Sequence, residues 1–262
     1  MEQSVKIKDF GENNELISIV VPVYNAERFI SETISNVQEQ SYTNWELLLI
    51  DDCSSDNSYQ ICVDISALDK RVRPISLEHN QGAACARNRG IEEAHGRYLC
   101  FLDADDIWEY DKLERELSFC REKEAAFVFT GYEFADEKGQ GLGKVVHVPE
   151  TITYRKALGN TTIFTSTVMI DRAKIEDEYI FMPLIPSEDT ATWWKILRKY
   201  GIGYGLDENL VRYRRSEGTL SSNKAVAIKR IWNLYRRQEK MSVIVSSFYM
   251  CLWALRAVLR RI

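Results

Sequence analysis

Apolar residues along this chain keep two rhythms in alternation: short unbroken runs, and longer stretches in which they return every third or fourth position. The first run, LISIVVPVY at residues 16–24, is continuous, the pattern of a parallel strand covered on both faces. Pro22 cannot donate to a ladder and should end or bend that strand. Asn25 then stands where a helix cap is wanted, ahead of Ile30, Ile34 and Val37 at helical spacing. The unit repeats. Strand 45–50 (WELLLI) leads through Ser54 and Ser55, two N-cap candidates, to a helix carrying Ile61, Ile65 and Leu68, and strand 72–77 leads to a helix over 82–94. Strand 98–102 follows Gly96, and a helix with Leu113, Leu117 and Cys120 comes after it. Strands alternating with helices predict an α/β fold with a mostly parallel sheet flanked by helices.

The second half is less regular. A strand is predicted at 125–134 (AAFVFTGYEF), then DEKGQGLGK, a hairpin turn that lacks the GKS/T ending of a phosphate-binding loop. Another strand is predicted at 163–170. Residues 186–201 form an amphipathic helix with Ser187 as N-cap, Glu188 and Asp189 in its first turn, Trp193, Leu197 and Tyr200 on one face and Gly201 as C-cap. Acids there complement the helix dipole, so the position alone does not make them catalytic. A short strand over 210–215 carries Arg214 and Arg215 towards a loop rich in Ser and Thr.

Carboxylates change the picture. Asp51 and Asp52 end the second predicted strand, and Asp103, Asp105 and Asp106 end the fourth. The carboxyl ends of strands are where open α/β sheets bind ligands. Three acids this close repel one another unless a cation neutralises them, which points to a hard divalent ion, Mg²⁺ or Mn²⁺, of the kind that also carries substrate phosphates. The plain alternative is a solvated acidic turn. Two acidic clusters on one sheet edge favour a shared crevice.

The net charge of −5 gives no sign of nucleic-acid binding. It is unevenly spread: from residue 224 onward nine Lys/Arg face one acid, a local charge of +8 against −13 on the rest. Within that basic tail, 224–262, the fifteen uncharged residues 241–255 lie between Arg236, Arg237 and Lys240 on one side and Arg256, Arg260 and Arg261 on the other. Fifteen fall short of the ~20 a spanning helix needs. An amphipathic helix lying on an anionic membrane surface fits better, with a helix packed on the body or on a second copy as the alternative. Six cysteines without a CxxC pair or zinc spacing read as reduced, mostly buried thiols. His79, His95 and His147 are scattered and read as non-catalytic. The polar residues 1–15 read as a flexible arm with no signal peptide.

SIVVPVYNAERFISETISNVQEQSYTNWELLLIDDCSSD, then NQGAACARNRGIEEAHGRYLCFLDADD, then SED before a Trp-rich helix, resembles the family 2 glycosyltransferases of GT-A fold, over residues 16–222 within a domain placed at 16–223. The resemblance implies that Pro22, Val23, Tyr24 and Asn25, with Glu27 nearby, wrap a nucleoside and that Asp52 hydrogen-bonds uracil. Asp103-Ala104-Asp105 matches the DxD motif, with Asp105 on the metal and Asp103 on the ribose or the metal shell. Asp189, of the Glu188-Asp189 pair, is the implied general base. Gly82 joins the nucleotide set by heading a helix of small residues that can approach a ligand closely. Many relatives carry a His in the loop after the last strand, where this chain has Ser216, and Arg214 or Arg215 are the candidate replacements for its charge.

The expected activity is therefore inverting, metal-dependent transfer from a UDP-sugar to a hydroxyl of a glycan or lipid-linked glycan, at the cytoplasmic face of a membrane. A sugar nucleotidyltransferase should show a Gly-rich, basic loop after the first strand, and a dehydrogenase GxGxxG there; VVPVYNAERF has neither. A receiver domain does not account for the last 140 residues or so. A degenerate relative that only binds nucleotide-sugar or glycan stays open.

Overall fold

The computed structural model describes residues 10–11, 14–160, 162–215 and 224–259. Its strands are β1 (Ile17–Val23), β2 (Trp45–Asp51), β3 (Val72–Ser76), β4 (Tyr98–Phe101), β5 (Ile107–Trp108), β6 (Phe127–Ala135), β7 (Gly141–Val146), β8 (Thr151–Thr153), β9 (Val168–Asp171) and β10 (Ile202–Arg214). The helices are α1 (Ile30–Gln38), α2 (Ser58–Leu68), α3 (Ala83–Glu93), α4 (Lys112–Glu122), α5 (Tyr154–Leu158), α6 (Asp177–Ile180), α7 (Glu188–Tyr200), α8 (Lys224–Asn233) and α9 (Val243–Leu259).

They build one sheet in the order β3-β2-β1-β4-β9-β6-β10-β5, with β7 beside β6 and β8 beside β10. The run β3-β2-β1-β4 is parallel throughout, as the apolar strand sequences predict. The order reverses beside β1, so the crevice beyond the carboxyl ends of β1 and β4 is the ligand position of an open sheet. β9 is antiparallel to both β4 and β6, whereas β6 and β10 pair in parallel.

Alternation along β1 divides the core. Ile17, Ile19, Val21 and Val23 pack with Ile30, Ile34 and Val37 of α1 and Leu113, Leu117 and Cys120 of α4. Val20, pointing the other way, joins Ala86 and Ile91 of α3 and Trp193 and Trp194 of α7. α3 lies tight on the sheet because Gly90 faces Val20, where a Cβ would sit 2.3 Å from a Val20 methyl.

Several local expectations are corrected. Asn25 does not cap α1; it takes a positive φ of 48° and its side-chain oxygen accepts the Ser55 amide. Neither Ser54 nor Ser55 caps α2, which starts at Ser58, and Leu68 is 89% exposed because α2 buries Ser58 and Cys62 instead. Ser187 occupies the N-cap of α7 in a left-handed conformation without a side-chain capping bond. The strand predicted at 163–170 is a 3-10 turn (Thr165–Thr167) followed by β9, and β10 begins well before residue 210. Cys62, Cys100 and Cys120 are buried, but Cys53 and Cys251 are exposed.

The basic tail is docked rather than free. After α8, a π-helical turn (Leu234–Gln238) buries Leu234 and Tyr235, whose ring stacks on Trp194 at 5.4 Å and whose hydroxyl donates to the Leu158 carbonyl at 2.5 Å. Most of the predicted N-terminal arm, and the loop with Ser216, lie outside the described residues. At the arm's end the Tyr42 hydroxyl donates to the Glu15 carbonyl.

Candidate active site

Two clefts meet at the carboxyl end of the parallel strands. The larger, about 540 Å³, is walled by the segment after β1 (Pro22, Val23, Tyr24, Asn25), by Asp52 after β2, by Gly82 at the head of α3, and by Asp103, Ala104 and Asp105 after β4. Of the predicted nucleotide-site residues on these four connections, all but Glu27 line one crevice. The strand register explains this: Val23 lies opposite Asp51, and the Asp52 amide donates to the Val23 carbonyl at 2.8 Å. Asp52 is buried, and its two oxygens accept the amides of Gln81 and Gly82, each at 2.7 Å. Gly82 permits this with a φ of 87°.

The DxD turn is clamped from three sides. The Thr33 hydroxyl donates to the Ala104 carbonyl at 2.7 Å, and the Asp103 amide donates to Ser166 Oγ at 3.1 Å. Arg214, nearly fully buried, donates through Nε to the Asp105 carbonyl at 2.8 Å and pairs with Glu32 at 2.8 Å. It thus braces the turn from behind and lines neither cleft. Arg215 lies over the Phe134 ring at 4.0 Å, and Glu27 accepts the Asn57 amide at 3.0 Å; both stand outside the crevice walls.

The acids divide in two. Asp106 does not face the crevice: it is fully buried, accepts from the Ser166 hydroxyl at 2.5 Å and from the Arg214 amide at 3.2 Å, and burial, then Asp103 and Asp105, push its carboxyl well above the usual range. Asp51 likewise points inward, accepting the Ser54 amide at 3.1 Å. The expected triple-acid cation site thus reduces to Asp103 and Asp105. Among the described residues no group of three or more His, Cys, Asp or Glu side chains converges as a ready-made metal site.

The pair nonetheless suits a hard cation. Burial, then the charge of Asp103, pushes the Asp105 carboxyl up to about 6, and no side chain among the described residues donates to it. Carboxylate oxygens poised against one another at a cleft wall are the donor chemistry for Mg²⁺ or Mn²⁺ bound partly through substrate phosphates.

Asp103 is also the hinge to the second cleft, about 390 Å³, which shares Asp103 and Arg87 with the first and takes in Thr165, Glu188 and Asp189. Arg87, buried on α3, donates to Asp103 at 2.6 Å and to Glu188 at 2.9 Å. Burial opposes its charge, but the neighbouring acids, Asp103 first, win and raise its pKa. Glu188 is raised by burial, then by Asp189, against the pull of Arg87. Asp189 accepts from the Thr165 hydroxyl at 3.2 Å and the Thr190 amide at 2.6 Å. A carboxylate held this way, across a bridging arginine from an acidic cleft, is placed to take a proton from a group entering the second cleft.

Arg87 was not among the residues singled out from sequence. Its signal was present: a charged residue within the buried stripe Ala86, Arg87, Gly90, Ile91. The tail's share of the second cleft, Ala227, Arg230, Ile231 and Trp253, carries no such signal. His79, His95 and His147 line neither cleft, and His95 sits 3.1 Å from Glu46 at the far end of the sheet.

Comparison with known proteins identifies the family and the fold. The "Glycosyl transferase family 2" model matches residues 18–180. The chain is 42% identical over 248 residues to TuaG of Bacillus subtilis, a glycosyltransferase named for teichuronic acid biosynthesis, covering 94% of this chain and 98% of TuaG. It is 38% identical to the UDP-Glc:alpha-D-GlcNAc-diphosphoundecaprenol beta-1,3-glucosyltransferase WfgD of Escherichia coli, covering 84% and 85% of the two chains. In fold it resembles TarS of S. aureus, solved with UDP-GlcNAc (TM-score 0.69, 20% identity, 91% of this chain and 71% of that one). It also resembles the mannosyltransferase PcManGT of Pyrobaculum calidifontis, solved with GDP-Man and Mn²⁺ (TM-score 0.70, 15% identity, 95% and 75%). With the family model spanning both clusters of strand-end acids, this chain is a glycosyltransferase of family 2, built on the GT-A fold.

Proposed function

We propose that the protein transfers a sugar, with inversion, from a UDP-sugar to a hydroxyl of a lipid-linked glycan in cell-surface polysaccharide synthesis. The single observation that carries this is the junction of two clefts at Arg87, which sets the DxD acids on one side and Glu188-Asp189 on the other. WfgD, named for transfer from UDP-Glc to a diphosphoundecaprenol-linked GlcNAc, supports the choice of donor and acceptor class, and TuaG, named for teichuronic acid biosynthesis, supports the polysaccharide setting.

In this reading the nucleoside lies between residues 22–25 and Asp52, and Asp103 and Asp105 hold Mn²⁺ or Mg²⁺, which supplies positive charge to the diphosphate. Asp189 takes the proton of the acceptor hydroxyl as its oxygen bonds to the anomeric carbon and the bond from that carbon to the diphosphate oxygen breaks. Attack from the face opposite the leaving group inverts the anomeric centre. Glu188 and Arg87 fix the position of Asp189's helix turn and hold Asp103 in line.

The site of action proposed is the cytoplasmic membrane surface, approached through α9. No described helix is long and apolar enough to cross a membrane. α9 instead exposes Ile244, Phe248, Cys251 and Leu255 as one stripe, spaced i, i+4, i+7, i+11, beside the basic residues of the tail.

A panel of UDP-sugars with a farnesyl-diphosphate-linked N-acetylglucosamine acceptor tests the reaction. One donor should give a product of inverted configuration by NMR, chelation should abolish transfer, and Asp189→Asn should lower kcat by about 10²–10⁴ with UDP affinity unchanged. A retained anomer, or full activity in Asp189→Asn, would sink the assignment.

A further inference from the structure

The second cleft does not end at Asp189. Behind the head of α7 a groove of about 160 Å³ is formed by Ile185, Pro186 and Leu234 with Arg230, Arg237 and Gln238. Arg230 borders both spaces, and Pro186 directly precedes the Ser187-Glu188-Asp189 turn. An acceptor with its hydroxyl at Asp189 and its remainder leading past Arg230 would reach this groove.

The two arginines stand out by what they lack. Neighbouring arginines of the tail and α7 are engaged: Arg236 donates to the Met241 carbonyl, Arg198 pairs with Glu239, and Arg256 donates to the Gly159 carbonyl at 3.1 Å. Arg230 and Arg237 have no hydrogen-bond or ion-pair partner among the described residues. They sit seven residues apart, roughly 10 Å along a helical axis, on the same side. Two unpaired guanidinium groups over an apolar floor form a receptor for a phosphate ester, because the planar fork matches phosphate oxygens and the low-dielectric floor strengthens the attraction.

We infer that Arg230 and Arg237 bind the diphosphate that joins the acceptor's sugar to its lipid, making the tail an acceptor-recognition element. The inference deepens the reading of a lipid-linked acceptor and rests on it. The shared chemistry, a phosphate ester, also occurs in phospholipid headgroups; the groove's continuity with the Asp189 cleft selects the acceptor.

The test is calorimetric titration of farnesyl diphosphate into the full chain with UDP and Mg²⁺ saturating the donor cleft, alongside farnesol and phosphatidylglycerol vesicles. Farnesyl diphosphate should bind at least ten-fold more weakly to Arg230→Gln/Arg237→Gln than to wild type, farnesol should show no difference, and Arg230→Lys/Arg237→Lys should recover part of the loss. Unchanged titration in the Gln variant, no binding to wild type, or a loss confined to the vesicles would overturn it. Diphosphate binding that depends on the arginines without sugar transfer would keep this site and reject the reaction; transfer that ignores the arginines would do the reverse.

Discussion

At the scale of single residues, the site is a problem of crowded negative charge, eased by two buried arginines, Arg87 and Arg214. Asp103, Asp105, Glu188 and Asp189 lie along two adjoining clefts, and Arg87 is the cation that bridges Asp103 to Glu188. Among the described residues its Nε has no hydrogen-bond partner, so both its hydrogen bonds are made by the two outer nitrogens. Removing it strands two carboxylates, the costly direction of breaking a buried pair. Arg87→Met should therefore lower unfolding stability by about 3–5 kcal/mol in urea titration. Because Asp189's turn shifts with Glu188, the variant should also cut kcat roughly 10²-fold. A kcat within three-fold of wild type would show that the bridge is structural alone. Asp106 and Arg214 carry the complementary lesson: an aspartate next to the DxD motif and an arginine at the end of the last strand read as ligands, but burial makes one an anchor and the other a brace.

At the scale of elements, α3 links the sheet to both clefts, and its placement depends on how closely it approaches β1. Gly90 allows that approach, since Val20 is fully buried and its methyls have nowhere to retreat. Gly90→Ala, although it favours the helix, should cost about 1–3 kcal/mol by overpacking and tilt Arg87 off its partners. Urea unfolding together with the KM for the donor reads both effects; a variant as stable as wild type would mean the helix has room to give. The amphipathic pattern of α1, α4 and α7 was legible because their apolar stripes are regular. The α3 stripe, made of Ala and Gly around an arginine, conveys helix but hides its function. β5, two residues long, left no periodic trace; it exists because Trp108 is pinned by Asn36 and Ser166.

At the scale of the whole molecule, the acidic body and basic tail form one working unit. α9 presents Tyr249 and Trp253 to the body and Ile244, Phe248 and Leu255 outward, Ile244 being 83% exposed. Replacing Ile244 and Phe248 together by Asp should lower partition onto phosphatidylglycerol vesicles at least about ten-fold, since each buried CH₂ contributes about 0.8 kcal/mol. Transfer to a short-chain acceptor in solution should stay within two-fold. Sedimentation with vesicles measures the first, and equal partition would sink membrane docking in favour of a second copy covering the stripe.

The linear chain determined the alternation of strand and helix, the parallel run from β3 to β4, and the acids that end its strands, because each of these is written in neighbouring residues and their spacing. Tertiary structure alone decided which acids face the crevice, since a buried Asp106 and a cleft-facing Asp105 differ only by the turn between them. It alone decided that β9 runs antiparallel between β4 and β6, a matter of long-range pairing that strand composition does not encode. It also brought Arg87, and Arg230 from 143 positions later, to the cleft of Asp189. Those meetings are set by how helices pack on two faces of one sheet, a property of the assembled core rather than of any local segment.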